Sequence, residues 1–159
     1  MPSPSADLST QTFTHLNAYV KFADQKASIL VTGQLAFLGL FVSFLNQVWP
    51  GHSIEFRILS ALTIGATLVA GVFAGWVIYP QTDPSGENLL FWGNINKKSL
   101  SDYESAIKNL DEGAALDELI EENYLLAEVA SNKYCRLKIS LISTGVTVLF
   151  AIFTVISLF

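Results

Sequence analysis

The stretch Ile139–Phe159 reads ISLISTGVTVLFAIFTVISLF and has neither a charged side chain nor a polar face. Two other stretches share this character, Ala27–Trp49 and Phe56–Tyr79, and neither has a charged residue in its interior. Each is long enough to cross a bilayer as a helix, which takes roughly 20 residues. Because a helix that is apolar on every side has no face to present to water, the sequence predicts an all-α membrane protein with three transmembrane helices rather than a soluble helical bundle.

The composition limits the classes of function. Charged residues make up 14% of the 159 residues, whereas a typical soluble domain has about 25%. The net charge is −5 and no basic stripe is present, so we expect no DNA or RNA binding. Cys135 is the single cysteine, which excludes an internal disulfide. Its position beside the third apolar stretch is compatible with a buried or idle thiol, which we favour, and with palmitoylation.

The apolar stretches divide the chain into six segments. We assign them as a cytoplasmic N-terminal helix (1–26), transmembrane helix 1 (27–49), an external turn (50–55), transmembrane helix 2 (56–79), a cytoplasmic helical insert (80–138) and transmembrane helix 3 (139–159). The orientation follows from charge, since Lys and Arg concentrate on cytoplasmic flanks. Of the nine basic residues, all but Arg57 lie in the first and fifth segments. This pattern predicts a multi-pass protein of the inner membrane, with a cytoplasmic N-terminus and an external C-terminus.

Small and amide-bearing residues in the apolar stretches indicate how the helices associate. Lipid provides no hydrophobic drive for association, so close packing depends on small residues and buried polar pairs. The second stretch has a ridge at Gly71 and Gly75, and the first has an amide at Gln34. The ridge seats either a neighbouring helix of the same chain or a second copy. Gln34 either bonds to another helix of its own chain, which we favour, or lines the pore of a homo-oligomer.

Two narrow apolar seams at helical spacing lie mainly outside the membrane stretches. We expect two cytoplasmic helices to pack along them and to continue into transmembrane helices 1 and 3. Ser9 and Thr10 are the candidate N-caps of the first helix, and Ser99 or Ser101 is expected to cap a shorter helix that begins near Asp102. The seams consist of Phe13, Leu16, Val20, Ala23 and Ala27, and of Leu116, Ile120, Asn123, Ala127, Ala130 and Tyr134.

The sequence has no pattern typical of an enzyme. It contains no Cys/His ligand cluster, no P-loop and no nucleophile elbow. The predicted topology places His15 and His52 on opposite sides of the membrane, so they do not share a metal. A run of acids is typical of a solvated helix face rather than of a metal or acid–base site, and it comprises Asp111, Glu112, Asp117, Glu118, Glu121 and Glu122. We therefore expect no catalytic residue, no metal and no cofactor, and a role in binding.

One candidate binding region is the stretch Phe91-Trp92-Gly93-Asn94. Aromatic rings stack on a nucleobase, glycine permits a close backbone approach, and asparagine reads a base edge. Phe91 and Trp92 are equally compatible with closing a small core. The stretch therefore predicts either a base-binding segment or a packing element.

A second candidate region lies where the N-terminal helix meets the membrane. Lys26, Lys133 and Arg136 suit a phosphate, and they serve equally as positive-inside anchors. Asp24 gains nothing near an anionic leaflet, so we expect it to pair with a cation. Its candidate partners are Lys21 one turn back, or Lys133 and Arg136 on the other long helix.

Four segments together resemble the transmembrane effector family of bacterial Pycsar antiphage systems, to which membrane effectors of cyclic-oligonucleotide (CBASS) defence are related. Their order and their positions relative to the apolar stretches match the family, and the likeness covers most of the chain from about Leu16. The family usually has Phe-Phe-Gly or a similar triplet where this chain has Phe91-Trp92-Gly93. The segments are Phe22–Ser28 (FADQKAS), Leu89–Ile95 (LLFWGNI), Ser101–Tyr103 (SDY) and Ala130–Tyr134 (ASNKY).

The resemblance implies a non-enzymatic effector that causes growth arrest or cell death upon infection. It would bind a cyclic nucleotide made by a partner cyclase, change its transmembrane assembly and disrupt the membrane. The family points to a cyclic pyrimidine mononucleotide, and the CBASS relatives point to a cyclic di- or trinucleotide. The predicted ligand-binding residues are Asp24, Lys26, Phe91, Trp92, Gly93, Asn94, Tyr103, Asn123, Lys133 and Arg136. The alternative is a constitutive membrane scaffold or accessory subunit that docks a protein through its acidic helices.

Overall fold

The structure, a computed structural model, describes residues 3–49, 51, 53–80 and 88–159. Over these residues the chain forms five helices and no strand: α1 (Pro4–Val48), α2 (Ile54–Ile78), α3 (Trp92–Ile95), α4 (Leu100–Lys108) and α5 (Glu112–Ile156). By length and composition, α1, α2 and α5 are able to cross a membrane. The predicted all-α class with three membrane-spanning helices is therefore confirmed. Pro50 and His52 of the predicted external turn, and residues 81–87, lie outside the described residues.

The helix starts follow local capping, which was predicted correctly for α4 and wrongly for α1. The Ser99 hydroxyl accepts the N–H of Asp102 at 3.2 Å, so Ser99 rather than Ser101 caps α4. Helix α1 begins at Pro4, and the Ser3 hydroxyl accepts the N–H of Ala6 at 3.3 Å. Proline is well suited to the first helical position, where its missing N–H costs nothing. Ser9 and Thr10 consequently lie inside the helix rather than at its cap.

The chain divides into two compact units, and both long helices contribute to each. The first, here called the polar unit, consists of Met1–Phe22 and Pro80–Asn132. The second, here called the membrane unit, consists of Ala23–Tyr79 and Lys133–Phe159. Helix α1 continues without interruption from the predicted N-terminal helix (1–26) into predicted transmembrane helix 1 (27–49), because the sequence between Ala23 and Ala27 contains no helix breaker.

The membrane unit packs parts of three helices around two apolar clusters. One cluster contains Ala23, Ala27, Val77 and Leu137, and the other contains Phe41, Leu45 and Phe56. Hydroxyl groups add interhelical contacts. Ser140 on α5 donates to the Ala70 carbonyl on α2 at 2.8 Å, and the hydroxyls of Thr63 and Thr154 lie 3.3 Å apart. Small polar residues therefore link α2 to α5, as is common between helices in lipid.

Gln34 and Gly71 meet where α1 packs against α2. The Gln34 side chain donates from Nε2 to the Thr144 hydroxyl on α5 at 2.8 Å, which is a bond to another helix of its own chain. A Cβ atom added at Gly71 would lie 3.9 Å from the Gln34 Cβ, so this glycine faces α1. At Gly75, an added Cβ would meet no atom of the described chain within 4 Å. The two glycines of the predicted ridge thus differ in their surroundings.

The buried stripe of α5 in the polar unit differs from the predicted seam. Asn123 and Ala130 are buried as expected, whereas Ile120 is exposed. Glu122 is buried instead, and Glu118 is half-buried. The prediction of a solvated acidic face is therefore wrong for these two glutamates. The prediction fails because the buried stripe of α5 passes through Leu119 and Leu126, so Glu122, the neighbour of Asn123, faces the rest of the polar unit.

Candidate functional site

Lys133 is the central polar residue of the membrane unit. Its side chain is only 6% exposed, although it lies on α5 just before the third apolar stretch. The ammonium group forms an ion pair with the carboxylate of Asp24 on α1. It also donates to the Val77 carbonyl on α2 at 2.7 Å. One cation therefore joins three helices, and Lys133 rather than Lys21 is the partner of Asp24.

Two α5 cations bind the carboxyl end of α2. Lys133 takes the carbonyl of Val77, and Arg136 donates from Nη1 to the carbonyl of Trp76 at 3.3 Å. The guanidinium of Arg136 also lies 5.6 Å from the centroid of the Trp76 ring. The last carbonyls of a helix have no intrahelical partner and carry partial negative charge. Lys133 and Arg136, three residues apart on one face, supply the positive charge that this end requires.

Lys26 is the exposed cation of the predicted set in this unit. Its Nζ lies 5.8 Å from the centroid of the Tyr134 ring, a cation–π contact between α1 and α5. The residue is exposed, whereas Lys133 is buried and Arg136 is half-buried. Of the three cations predicted to suit a phosphate, Lys26 is thus the one most accessible to an anion.

In the polar unit, Glu118 anchors the chain just before the aromatic stretch. Its carboxylate Oε2 accepts the N–H of Leu89 at 2.7 Å, and its backbone carbonyl accepts from the Asn88 side chain at 2.9 Å. Asn88 also accepts, at Oδ1, the N–H of Leu90 at 2.7 Å. The Asn94 amide donates to the Asn88 carbonyl at 3.2 Å. These bonds hold the Asn88–Asn94 segment against α5.

The residues of the aromatic stretch differ in accessibility. Trp92 is 63% exposed, Phe91 is half-buried, and their rings lie 5.7 Å apart with an interplanar angle of 42°. Asn94 is buried and its amide is engaged with Asn88. A Cβ atom at Gly93 would lie 2.5 Å from Cε1 of Phe91, so this position needs glycine for the ring to keep its place. Trp92 is therefore the member of the stretch that offers an open aromatic face.

Asn123 and its neighbour Glu122 form a buried polar pair on α5. The Asn123 amide donates from Nδ2 to the Ser9 carbonyl on α1 at 2.9 Å. Glu122 is 8% exposed, and burial, together with the nearby Glu121 charge, raises the pKa of its carboxyl group. The sequence reasoning missed Glu122 because it stands in a run of acids. Its position three residues after Leu119 is the signal that places it on the buried stripe. Tyr103, the remaining predicted residue, is half-buried on α4.

The predicted ligand-binding residues fall into two sets, one in each unit. The polar unit contains Phe91, Trp92, Gly93, Asn94, Tyr103 and Asn123, and the membrane unit contains Asp24, Lys26, Lys133 and Arg136. Among the described residues, no three His, Cys, Asp or Glu side chains are grouped so that they could hold a metal ion.

Comparison with known proteins gives a consistent result. The family model of the Pycsar effector protein domain matches residues 8–159. The Pycsar effector protein SaPycTM of Staphylococcus aureus is 30% identical over 122 residues, which cover 76% of this chain and 75% of that protein. No solved structure matches the chain. The chain therefore belongs to the Pycsar effector family of antiviral defence, and its three long apolar helices make it a membrane member of that family.

Proposed function

We propose that this protein is an antiphage effector that binds a cyclic nucleotide through its polar unit and then changes the assembly of its transmembrane helices. Membership of the Pycsar effector family supports the effector role. The observation that supports nucleotide binding is the exposed ring of Trp92, on a segment that Glu118 and Asn88 hold in place. Stacking of a base on an aromatic side chain contributes about 1–3 kcal/mol. A pre-positioned ring gains this without the cost of ordering a loop.

The proposed output is a rearrangement of the membrane unit that impairs the bilayer and arrests growth. A ligand shifts such an equilibrium only if it binds the active arrangement more tightly than the resting one. In the membrane unit, the Lys133 ammonium on α5 bonds to both α1 and α2, so its bonds most restrict movement of the three helices relative to one another. Activation is proposed to open the Asp24–Lys133 pair. The assignment of phosphate contacts to Lys26, Lys133 and Arg136 stays a prediction, with Lys26 the accessible member.

Titration of the purified full chain in detergent tests this proposal. Cyclic mono-, di- and trinucleotides are added separately, and the melting temperature and the oligomer size are followed. We expect a rise in melting temperature with one class of nucleotide, made by a partner cyclase in the cell, together with a change in the size of a homo-oligomer. No response to any nucleotide would contradict ligand gating and favour the scaffold alternative, in which the acidic face of α5 docks a protein.

The variant Trp92→Ala separates stacking from packing. Since the ring is largely exposed, its removal should leave folding and insertion intact while weakening nucleotide binding about tenfold or more. Tyr124→Ala is the matched control, because Tyr124 is an exposed aromatic residue of the same unit. Unchanged affinity in Trp92→Ala would remove the stacking role and leave Trp92 as a surface residue.

A further inference from the structure

Two hydrogen-bond acceptors in the polar unit are buried without a partner. They are Oε2 of Glu122 and Oδ1 of Asn123, and neither has a hydrogen-bond donor within the described part of the chain. The two residues are 8% and 9% exposed. Buried polar atoms in folded proteins are almost always hydrogen-bonded, because an unpaired one loses its water without compensation. Two such acceptors on consecutive residues therefore call for a donor from outside the described residues.

The surroundings fix where that donor would bind. The Asn123 amide nitrogen already bonds to the Ser9 carbonyl at 2.9 Å, which sets the amide orientation and identifies the other atom, Oδ1, as the acceptor without a partner. Glu118, one turn before Glu122 on the same face of α5, holds the backbone N–H of Leu89 at 2.7 Å. Along α5, Glu122 thus lies between the contact to the Asn88–Asn94 segment and the contact to α1.

We infer that Glu122 and Asn123 form an acceptor site for the N–H groups on the base edge of a bound nucleotide. This inference rests on the proposed function and names the residues of the polar unit that would read the base. A divalent cation fits less well, since it takes about six oxygen ligands and the described residues hold no cluster of three acids here. An amino or imino group needs only one acceptor for each hydrogen, as asparagine and acidic side chains supply to bases elsewhere.

The state of the carboxyl group agrees with this chemistry. Burial first, and then the Glu121 charge, raise the pKa of Glu122, which favours its neutral form. A neutral carboxyl group accepts a hydrogen bond at one oxygen and donates one from the other. That pattern is complementary to an amino group beside a ring nitrogen, the edge that cytosine presents, and to the imino and carbonyl pair of uracil.

The test measures discrimination between a base and its N-methylated analogue. Full-length protein in detergent is titrated calorimetrically with 3′,5′-cyclic CMP and its N4,N4-dimethyl analogue, and with 3′,5′-cyclic UMP and its N3-methyl analogue. In the unaltered chain, methylation should weaken binding of the better nucleotide about tenfold, because the donors are lost and the acceptors stay unpaired. In Glu122→Met, which keeps the approximate length of the side chain and removes its acceptor, the ratio should fall to within about twofold.

Each outcome decides the inference. Glu128→Met is the matched control, since Glu128 is an exposed acid on the same part of α5, and it should keep full discrimination. Binding of the methylated analogues by Glu122→Met shows that this variant is folded. Equal binding of parent and methylated nucleotides by the unaltered chain, as expected if water fills the site, would overturn the inference and leave the proposed function in place. Full discrimination in Glu122→Met would overturn it as well. No binding of either cyclic mononucleotide would also overturn it, whereas the proposed function falls only if di- and trinucleotides fail as well.

Discussion

The Asp24–Lys133 pair gives the sharpest test of how the membrane unit holds its helices. The perturbation is a double-mutant cycle of Asp24→Asn, Lys133→Met and the double variant. Asparagine keeps the shape of Asp24 and removes its charge, so the buried Lys133 ammonium loses its counter-charge and keeps only neutral acceptors such as the Val77 carbonyl. Methionine keeps the unbranched chain of Lys133 and removes both of its bonds. The cycle then isolates the coupling between the two side chains.

The expected magnitude follows from their exposure. The Lys133 side chain is 6% exposed and the Asp24 side chain is 37% exposed, so the pair lies between the buried and the surface cases. Removing one partner of a buried pair costs about 3–5 kcal/mol, whereas exposed pairs contribute about 0–1 kcal/mol. Water reaches Asp24, and Val77 still binds Lys133. We therefore expect a loss of about 2 kcal/mol for Asp24→Asn and a coupling energy of about 1–2 kcal/mol.

The assay is reversible unfolding by SDS in mixed micelles, followed by circular dichroism, with Lys138→Met as the control. Lys138 is an exposed cation on the same helix, and its loss should change stability by less than about 0.5 kcal/mol. A coupling energy below about 0.5 kcal/mol would refute the view that this pair fastens α1 to α5. Under the proposed function, Asp24→Asn should also slow cell growth without any infection. Normal growth, with the variant present in the membrane, would show that opening the pair does not activate the protein.

Two further predictions concern the polar unit. The folded-state pKa of Glu122 is raised above 4.5, so the stabilising contribution of its neutral form is complete below about that pH and is lost as the pH rises. Glu122→Gln should therefore become more stable relative to the unaltered chain as the pH rises from about 5 to about 8, as measured by thermal unfolding. Melting temperatures of the two proteins that change in parallel with pH would contradict this. Gly93→Ala should displace the Phe91 ring and lower stability by about 1 kcal/mol or more, because the new Cβ would lie 2.5 Å from that ring. Gly39→Ala is the control, since a Cβ added there would meet no described atom within 4 Å. Equal effects of the two substitutions on stability would argue against the close contact at Gly93.

The fold was largely predictable because its strongest determinants are local. Apolar runs without charges end within a few residues of the observed helix ends, as at Val48 for α1 and Ile78 for α2. These boundaries follow from composition alone, since a long apolar run has few stable alternatives in lipid. Ser99 was recognisable as a cap for the same reason, because its partner Asp102 is three residues away. The start of α1 differs from the prediction because Ser9 and Thr10 are of the residue types that cap helices, whereas Ser3 and Pro4 form the observed start.

The candidate sites were less predictable because they depend on helix rotation. The sequence narrowed the partners of Asp24 to cations on either long helix, and only the packing of α1 against α5 selects Lys133. Glu122 shows the same limit in reverse. A run of acids predicts a solvated face, yet the buried stripe of α5 is displaced by about one position from the predicted seam, and this places Glu122 on the buried side. Periodicity locates a stripe to within about one position, and this is the difference between a solvated and a buried carboxyl group.

Helix α5 carries the principal polar contacts of both units, and this constrains how a ligand could act. In the polar unit it supplies Glu118 and Asn123, which hold the Asn88–Asn94 segment and α1. In the membrane unit it supplies Lys133 and Arg136, which hold the end of α2. Each set consists of directional bonds to another element, so a change in the rotation of α5 within either unit breaks several of them together. Bonds that break together give two discrete arrangements rather than a continuum, which is the property that a ligand-gated effector requires.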